Sequence, residues 1–330
     1  MKLPHIIGAD ISKKSIDFAS HLLSTHFQIE NNSSGFPVLI KWIQEKKISM
    51  SNVMIVMEHT GLYSYQFEQF LHRNHIRFTK VPALEIKLST GMVRGKSDKR
   101  DAYRIARYGF EKATRLVAVE PADQDLQRLQ ILYSTRERLI RNKAGLMNAV
   151  KMYQETCCLP QTDVIIKSQL QLIKNFDRQI EKLNQEMRNI IESQKTFSDN
   201  YRLLQSVKGV GPVLALATII RTKNFTCFTT ARKLACCCGT APFEKTSGTS
   251  VRGKTKVSKL ADKRMKTLLD LAAKSAIQYD KELREYYLKR TQSGKSKMST
   301  INVVRNKILY RMFAVIKRQT PFVENYLQAA

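Results

Sequence analysis

Apolar positions in the first 110 residues fall in short runs rather than long stripes. Ile6-Ile7-Gly8-Ala9-Asp10-Ile11 is an apolar run interrupted by one aspartate. Ile16 to Leu23 and Phe27 to Glu30 read as the strands that follow. Phe36 to Glu45 has helical periodicity, and Val53 to Met57 is a wholly apolar strand that ends in Glu58. Leu62 to Leu71 reads as a helix, Phe78 to Val81 as a strand, and Ala102 to Phe110 as a helix with Asp98 and Asp101 at its start. The order β, β, β, α, β, α, β, α predicts a mixed sheet flanked by helices, an α/β domain over residues 1–120.

The pattern then changes. Leu132, Leu139, Leu146 and Tyr153 recur every seven residues until Pro160 stops the helix. Ile173, Phe176, Ile180, Leu183, Met187 and Ile190 alternate steps of three and four, a coiled-coil seam with polar residues elsewhere. Residues 121–198 therefore read as a helical hairpin, with or without a role in dimerisation. Residues 199–330 read as a mostly helical third domain. Gly209-Val210-Gly211-Pro212 separates two helices, Phe228 to Cys238 forms another that Gly239 closes, and a loop runs from Glu244 to Ser258. A helix from about Lys259 to Leu288 and a last one from about Ile301 to Lys317 complete the chain.

Charge adds a partner to this outline. The chain has 56 Lys+Arg against 28 Asp+Glu, a net +28, and residues 201–330 alone hold 26 basic against 7 acidic side chains. That excess favours a polyanion, since each neutralised phosphate releases condensed counterions. A generally basic, ribosome-like protein is the plainer alternative. No apolar run is long enough to span a membrane, and the start Met1-Lys2-Leu3-Pro4-His5 carries no apolar leader, so a cytoplasmic protein without membrane contact is expected. All six histidines lie at or before His75 and every cysteine after it, so no zinc-ligand spacing arises.

Two groups of residues point to chemistry. Asp10 interrupts one apolar strand, Glu58 ends another, and Asp98 and Asp101 are three apart on one helix face. An ionised carboxylate near a core is costly unless paired or metal-bound. Four of them converging would suit Mg²⁺, a hard cation that takes oxygen ligands. Each alone has a structural explanation, as a helix N-terminal charge or a partner of a lysine. The second group is Thr246-Ser247-Gly248-Thr249-Ser250-Val251-Arg252-Gly253-Lys254, with Lys256 and Lys259 beyond it. Hydroxyls, glycines and cations together suit a phosphate, either bound or attacked by a serine. Lys208, Gly209 and Gly211 resemble a helix-hairpin-helix turn, which grips a nucleic-acid backbone through its N–H groups.

In their order and spacing these stretches resemble the DEDD-type transposases of bacterial insertion sequences, the IS-one-ten family. The matching pieces are Ile7-Gly8-Ala9-Asp10-Ile11-Ser12-Lys13, Val56-Met57-Glu58-His59-Thr60-Gly61 and Lys96-Ser97-Asp98-Lys99-Arg100-Asp101-Ala102. In the second half they are Val207-Lys208-Gly209-Val210-Gly211-Pro212, Gly239-Thr240-Ala241-Pro242 and Ser247-Gly248-Thr249-Ser250-Val251-Arg252-Gly253. His59 and the Cys236-Cys237-Cys238 run depart from the family's usual residues. The resemblance implies an RNase H-like N-terminal domain, similar to Holliday-junction resolvases, with Asp10, Glu58, Asp98 and Asp101 as its Mg²⁺ ligands. It implies Ser247 as a nucleophile; chemistry alone would accept Ser250 equally. It also implies homodimers or homotetramers acting on donor and target DNA, guided by a structured noncoding RNA. A metal-dependent nuclease and a non-catalytic RNA-binding scaffold are the alternatives.

Overall fold

Strands of the N-terminal third pair into one sheet. The structure is a computed structural model that describes residues 4–324 except 60, 90, 92–94, 96, 122, 248–250 and 259, with the backbone alone at 245–247, 251, 252 and 254. The chain forms two compact units, Met1–Ala122 and Asp123–Ala330.

In the first unit the elements are β1 (His5–Ile11), β2 (Ser15–Ser20), β3 (Thr25–Glu30), α1 (Phe36–Glu45), β4 (Val53–Glu58), α2 (Tyr65–Arg73), β5 (Arg77–Val81), α3 (Ala83–Ser89) and α4 (Asp98–Glu111). The strand order is β3-β2-β1-β4-β5. β1 lies at the centre, antiparallel to β2 and parallel to β4. Successive side chains on a strand point to opposite faces. Ile7, Ala9 and Ile11 join Phe36, Leu39 and Ile43 of α1 and Phe67 and Leu71 of α2 in one core. Ile6 faces the other way and packs with Met54, Val56 and Ile105 and Tyr108 of α4. Both faces of β1 are covered, which is why its sequence reads as a continuous apolar run.

Two glycines seat α4 on the sheet. A Cβ at Gly8 would lie 2.3 Å from the Ala106 nitrogen and 2.4 Å from the Ala102 oxygen. A Cβ at Gly109 would lie 2.7 Å from a methyl of Ile6 and 2.7 Å from one of Val56. Backbone cannot yield as a side-chain tip can. Gly8→Ala should therefore cost about 3 kcal/mol, the upper end of overpacking penalties, read as a lowered urea midpoint at unchanged slope.

The second unit holds α5 (Gln124–Thr156), α6 (Val164–Ser193), α7 (Lys195–Gln205), α8 (Pro212–Thr222), α9 (Ala231–Cys237), β6 (Pro242–Ser247), β7 (Val251–Val257), α10 (Lys263–Tyr279), α11 (Lys281–Gln292) and α12 (Lys297–Arg318). α5 and α6 run antiparallel: Asp125 meets Gln194, Arg136 meets Asn184 at 2.6 Å and Lys143 meets Asp177 at 2.5 Å, one index falling as the other climbs. At the open end of this hairpin, away from the turn that joins the two helices, Leu126, Leu129, Leu132, Met187 and Ile191 enter a core built with α7, α8, α10 and α12. Farther out, Leu139, Leu146, Tyr153, Ile173, Phe176 and Ile180 are half-buried. The expected face of the last helix, Ile301, Val304, Ile308, Met312 and Val315, is buried in the same core.

The structure differs from expectation in three places. α3 is an additional short helix. The single helix expected over 259–288 is two, broken at Asp280, whose carboxylate caps α11 by accepting from the Leu283 nitrogen at 2.9 Å. The expected loop from Glu244 to Ser258 is a two-stranded ribbon, β6 antiparallel to β7 with Ser247 opposite Val251 and a register shift between Phe243 and Lys245.

The base of that ribbon is fixed. Gly239 has φ +63°, and a Cβ there would lie 2.4 Å from that of Ala261. The Asp262 nitrogen donates to the Cys237 oxygen at 2.9 Å. The side-chain amides of Asn302 and Asn306 on α12 both donate to the Thr240 oxygen at 2.8 Å, and the Thr240 hydroxyl donates to Asn306 Oδ1 at 3.0 Å. Thr240 is fully buried. Asn306→Ala strips partners from a buried carbonyl and hydroxyl and should cost about 1–3 kcal/mol, measured by chemical denaturation.

Candidate active site

Asp10 is the sixth residue of β1 and points to the same face as Ile6 and Gly8, the face α4 covers. β1 and β4 are parallel with Ala9 opposite Met57, so the next residues, Asp10 and Glu58, follow side by side. Asp10 also lies directly opposite Asp17 of β2. Three carboxylates thus form one row across three strands. Asp98 and Asp101 occupy the first turn of α4, where carboxylates complement the helix dipole and Ser97 caps by accepting from the Arg100 nitrogen at 3.3 Å. Ala102, next to Asp101, is pressed against Gly8 together with Ala106. The close approach of α4 to β1 therefore carries Asp101 toward Asp10.

The carboxyl group of Asp10 feels this crowding. Its pKa is pushed up to about 6 from 3.8, first by burial and then by the charges of Asp101, Asp98, Glu58 and Asp17 in turn. The other three residues of the expected quartet thus all act on Asp10. Asp101 also bonds Arg104 at 2.5 Å, and Arg104 donates to the Gly95 oxygen at 2.9 Å. Lys80, a lysine on the strand beside Glu58, is taken by buried Glu68 at 2.6 Å, with Ser64 donating to the same oxygen.

Among the described residues, no three of His, Cys, Asp and Glu stand close enough to hold a metal ion as placed. The donor chemistry still fits a hard divalent cation. All the ligands are oxygens, and Mg²⁺ uses only one or two carboxylates directly, leaving its other positions to water and phosphate. Mutual repulsion at Asp10 is what such an ion would relieve.

The basic half is placed as follows. Ser247 ends β6; its side chain and those of Arg252 and Lys254 lie outside what is described, as do Ser250 and Lys259 altogether. Lys256 on β7 is exposed, opposite Phe243. Lys208 pairs with Glu324. Gly209 has φ +90°, and a Cβ there would lie 2.5 Å from the Ala272 oxygen of α10, so packing alone already requires a glycine. Gly211 opens α8 as its exposed N-cap. Among the described residues no helix is long and apolar enough to cross a membrane.

Asp17 is the member of the row that the sequence reading passed over. It is 4% exposed, and its two oxygens accept from His26 at 2.8 Å and Gln28 at 2.9 Å. The signal was present, since Ile16-Asp17-Phe18-Ala19 is an aspartate inside an apolar strand just as Asp10 is.

A carboxylate-lined sheet face under the start of a helix, in a chain whose other unit is strongly basic, fits the class of proteins that handle nucleic acid. Residues 7–153 match a family model described as Transposase, of the DEDD type of the IS110 group, and residues 201–288 match Transposase IS116/IS110/IS902 family. The chain is 26% identical over 327 residues to a pilin gene-inverting protein of Moraxella bovis, covering 96% of this chain and 97% of that one. It is 27% identical over 329 residues to the pilin gene-inverting protein of Moraxella lacunata, with 96% and 97% covered. An insertion element IS110 uncharacterized 43.6 kDa protein of Streptomyces coelicolor is 25% identical over 179 residues, 53% of this chain and 43% of that one. The chain belongs to the IS110 family of transposases. Its N-terminal sheet is the RNase H-like domain of that family.

Proposed function

We propose that this transposase cuts and exchanges DNA strands through a covalent serine intermediate, using Mg²⁺ held by Asp10, Glu58, Asp98 and Asp101. The observation that carries the reading is Asp10 itself: burial first, and then the charges of Asp101, Asp98 and Glu58, push its carboxyl up to about 6. A bound Mg²⁺ supplies charge at the scissile phosphate and eases departure of the 3′-oxygen. Asp10 and Glu58, at the ends of parallel strands, would hold that ion together with Asp98 and Asp101 from the first turn of α4.

The hydroxyl oxygen of Ser247 attacks phosphorus and gives up its proton to water, the bond from phosphorus to the 3′-oxygen breaks, that oxygen takes up a proton to become a 3′-hydroxyl, and the 5′-phosphate stays on the serine. Arg252, Lys254 and Lys256 neutralise the non-bridging oxygens. A 3′-hydroxyl from the partner strand then displaces the serine, so the number of phosphodiester bonds is conserved. Lys208, Gly209, Gly211 and Lys259 contribute backbone contacts to nucleic acid. The two Moraxella relatives are named for inverting a gene, and inversion requires ends to be rejoined without loss. That favours exchange over hydrolysis. The net charge of +28 supports a second polyanion, a structured RNA that pairs with donor and target DNA, on an assembly of two or four chains.

A plasmid carrying two inverted recombination sites tests this. Full-length protein with the RNA and Mg²⁺ should yield inverted plasmid with every strand sealed, and nothing in EDTA. Linear product with free ends and no adduct would establish hydrolysis instead. Inversion that survives removal of RNA would reject the guide.

A further inference from the structure

Asp17 has no role in the reading above, yet its placement is demanding. An ionised carboxylate taken out of water is costly, and Ile16, Phe18 and Ala19 around it are fully buried apolar residues. Packing alone would be served by another apolar side chain. Both of its oxygens are instead satisfied from one side. His26 and Gln28 belong to β3, and Gln28 stands directly opposite Asp17 in the β2–β3 register. The other neighbour of Asp17 across the sheet is Asp10 on β1. β3 therefore holds a negative charge in a fixed orientation against the acidic row. His26 is itself stacked on Tyr103 of α4, 6.4 Å between ring centres, which ties this support to the helix that carries Asp98 and Asp101.

We infer that Asp17 is a positioning residue for the acidic row: a carboxylate held by His26 and Gln28 whose charge beside Asp10 tightens the grip of the site on a divalent cation. It binds no metal directly. It acts as the outer partners of metal ligands do, whose loss weakens metal affinity by about 10- to 100-fold. The inference rests on the metal reading of Asp10, Glu58, Asp98 and Asp101 proposed above.

The test uses the full-length chain and Mn²⁺, with the free ion counted by its electron paramagnetic resonance signal. Asp17→Asn keeps the size and an accepting oxygen but removes the charge. It should bind Mn²⁺ about ten-fold more weakly than the parent while still melting cooperatively. Gln28→Lys, at an exposed position on β3, leaves Asp17 in place and sets a cation against it. It should weaken Mn²⁺ binding several-fold, and it serves as the measurement if Asp17→Asn does not fold. Lower melting temperature with unchanged Mn²⁺ affinity in these variants would make the Asp17–His26 pair purely structural and overturn the inference. The metal reading fails separately: in that case Asp10→Asn leaves Mn²⁺ binding as it is in the parent.

Discussion

Ser247→Ala protein should still bind DNA and form no covalent adduct with it, with strand exchange reduced by on the order of 10³-fold or more. The substitution removes one oxygen at the end of β6, where the backbone is already paired with Val251. Alanine suits that backbone, and the ribbon is anchored away from this position by Thr240, Asn302 and Asn306. Loss of activity would therefore report chemistry and not collapse. The check is a denaturing gel of labelled DNA, in which the parent retards a fraction of the label and the variant none. Ser250→Ala is the companion, because a hydroxyl three residues on is chemically equivalent. An adduct that persists in Ser247→Ala and vanishes in Ser250→Ala would transfer the role; persistence in both would remove the covalent step.

Asp10→Asn should have two opposite effects. Cleavage falls on the order of 10³-fold, since the carboxylate proposed as the central metal ligand is lost. Stability in metal-free buffer rises. A free aspartate loses its proton near 3.8, and Asp10 in the fold holds it to about 6, so above that pH the ionised form weighs against the folded state. This group therefore subtracts stability as pH climbs between those values and subtracts no more beyond. The shift is worth about 3 kcal/mol at face value and about 1–2 after allowance for the solvent that still reaches this half-buried side chain. Mn²⁺ should raise the melting temperature of the parent and leave that of the variant unmoved. A variant no more stable than the parent in metal-free buffer would mean that the four carboxylates do not press on Asp10.

Elements with strong periodicity were legible from sequence. β1, β4, α5, α6 and α12 each carry enough apolar residues, at one spacing or in one run, to announce themselves. The ribbon was not legible, for a physical reason. It faces solvent, with Phe243 46% exposed and Gly253, Thr255 and Lys256 exposed, so no alternation of apolar and polar residues marks it as strand. α3 buries only Ile86, too little to separate a helix from a turn after Pro82. The break at Asp280 was hidden because Leu268, Leu269, Ala272, Ala273 and Ala276 before it and Leu283 after it belong to one core. Residues of the quartet were legible by type and order, and the approach of Asp98 and Asp101 to Asp10 was not. That approach depends on α4 packing on the sheet, which Gly8 and Gly109 permit without any apolar signal. Asp17 was legible by the argument that found Asp10.

The two notches have a further consequence. Gly8 receives the backbone of α4, and Gly109 on α4 receives Ile6 and Val56, so helix and sheet interlock in a single register, as a key in a ward. Sliding the helix by one residue would drive a Cβ into main chain. The like-charged groups at its tip are thus kept together by shape, against their own inclination to separate. On the metal reading proposed above, a cation arriving there would relieve this repulsion, and α4 would not first have to be brought to the sheet.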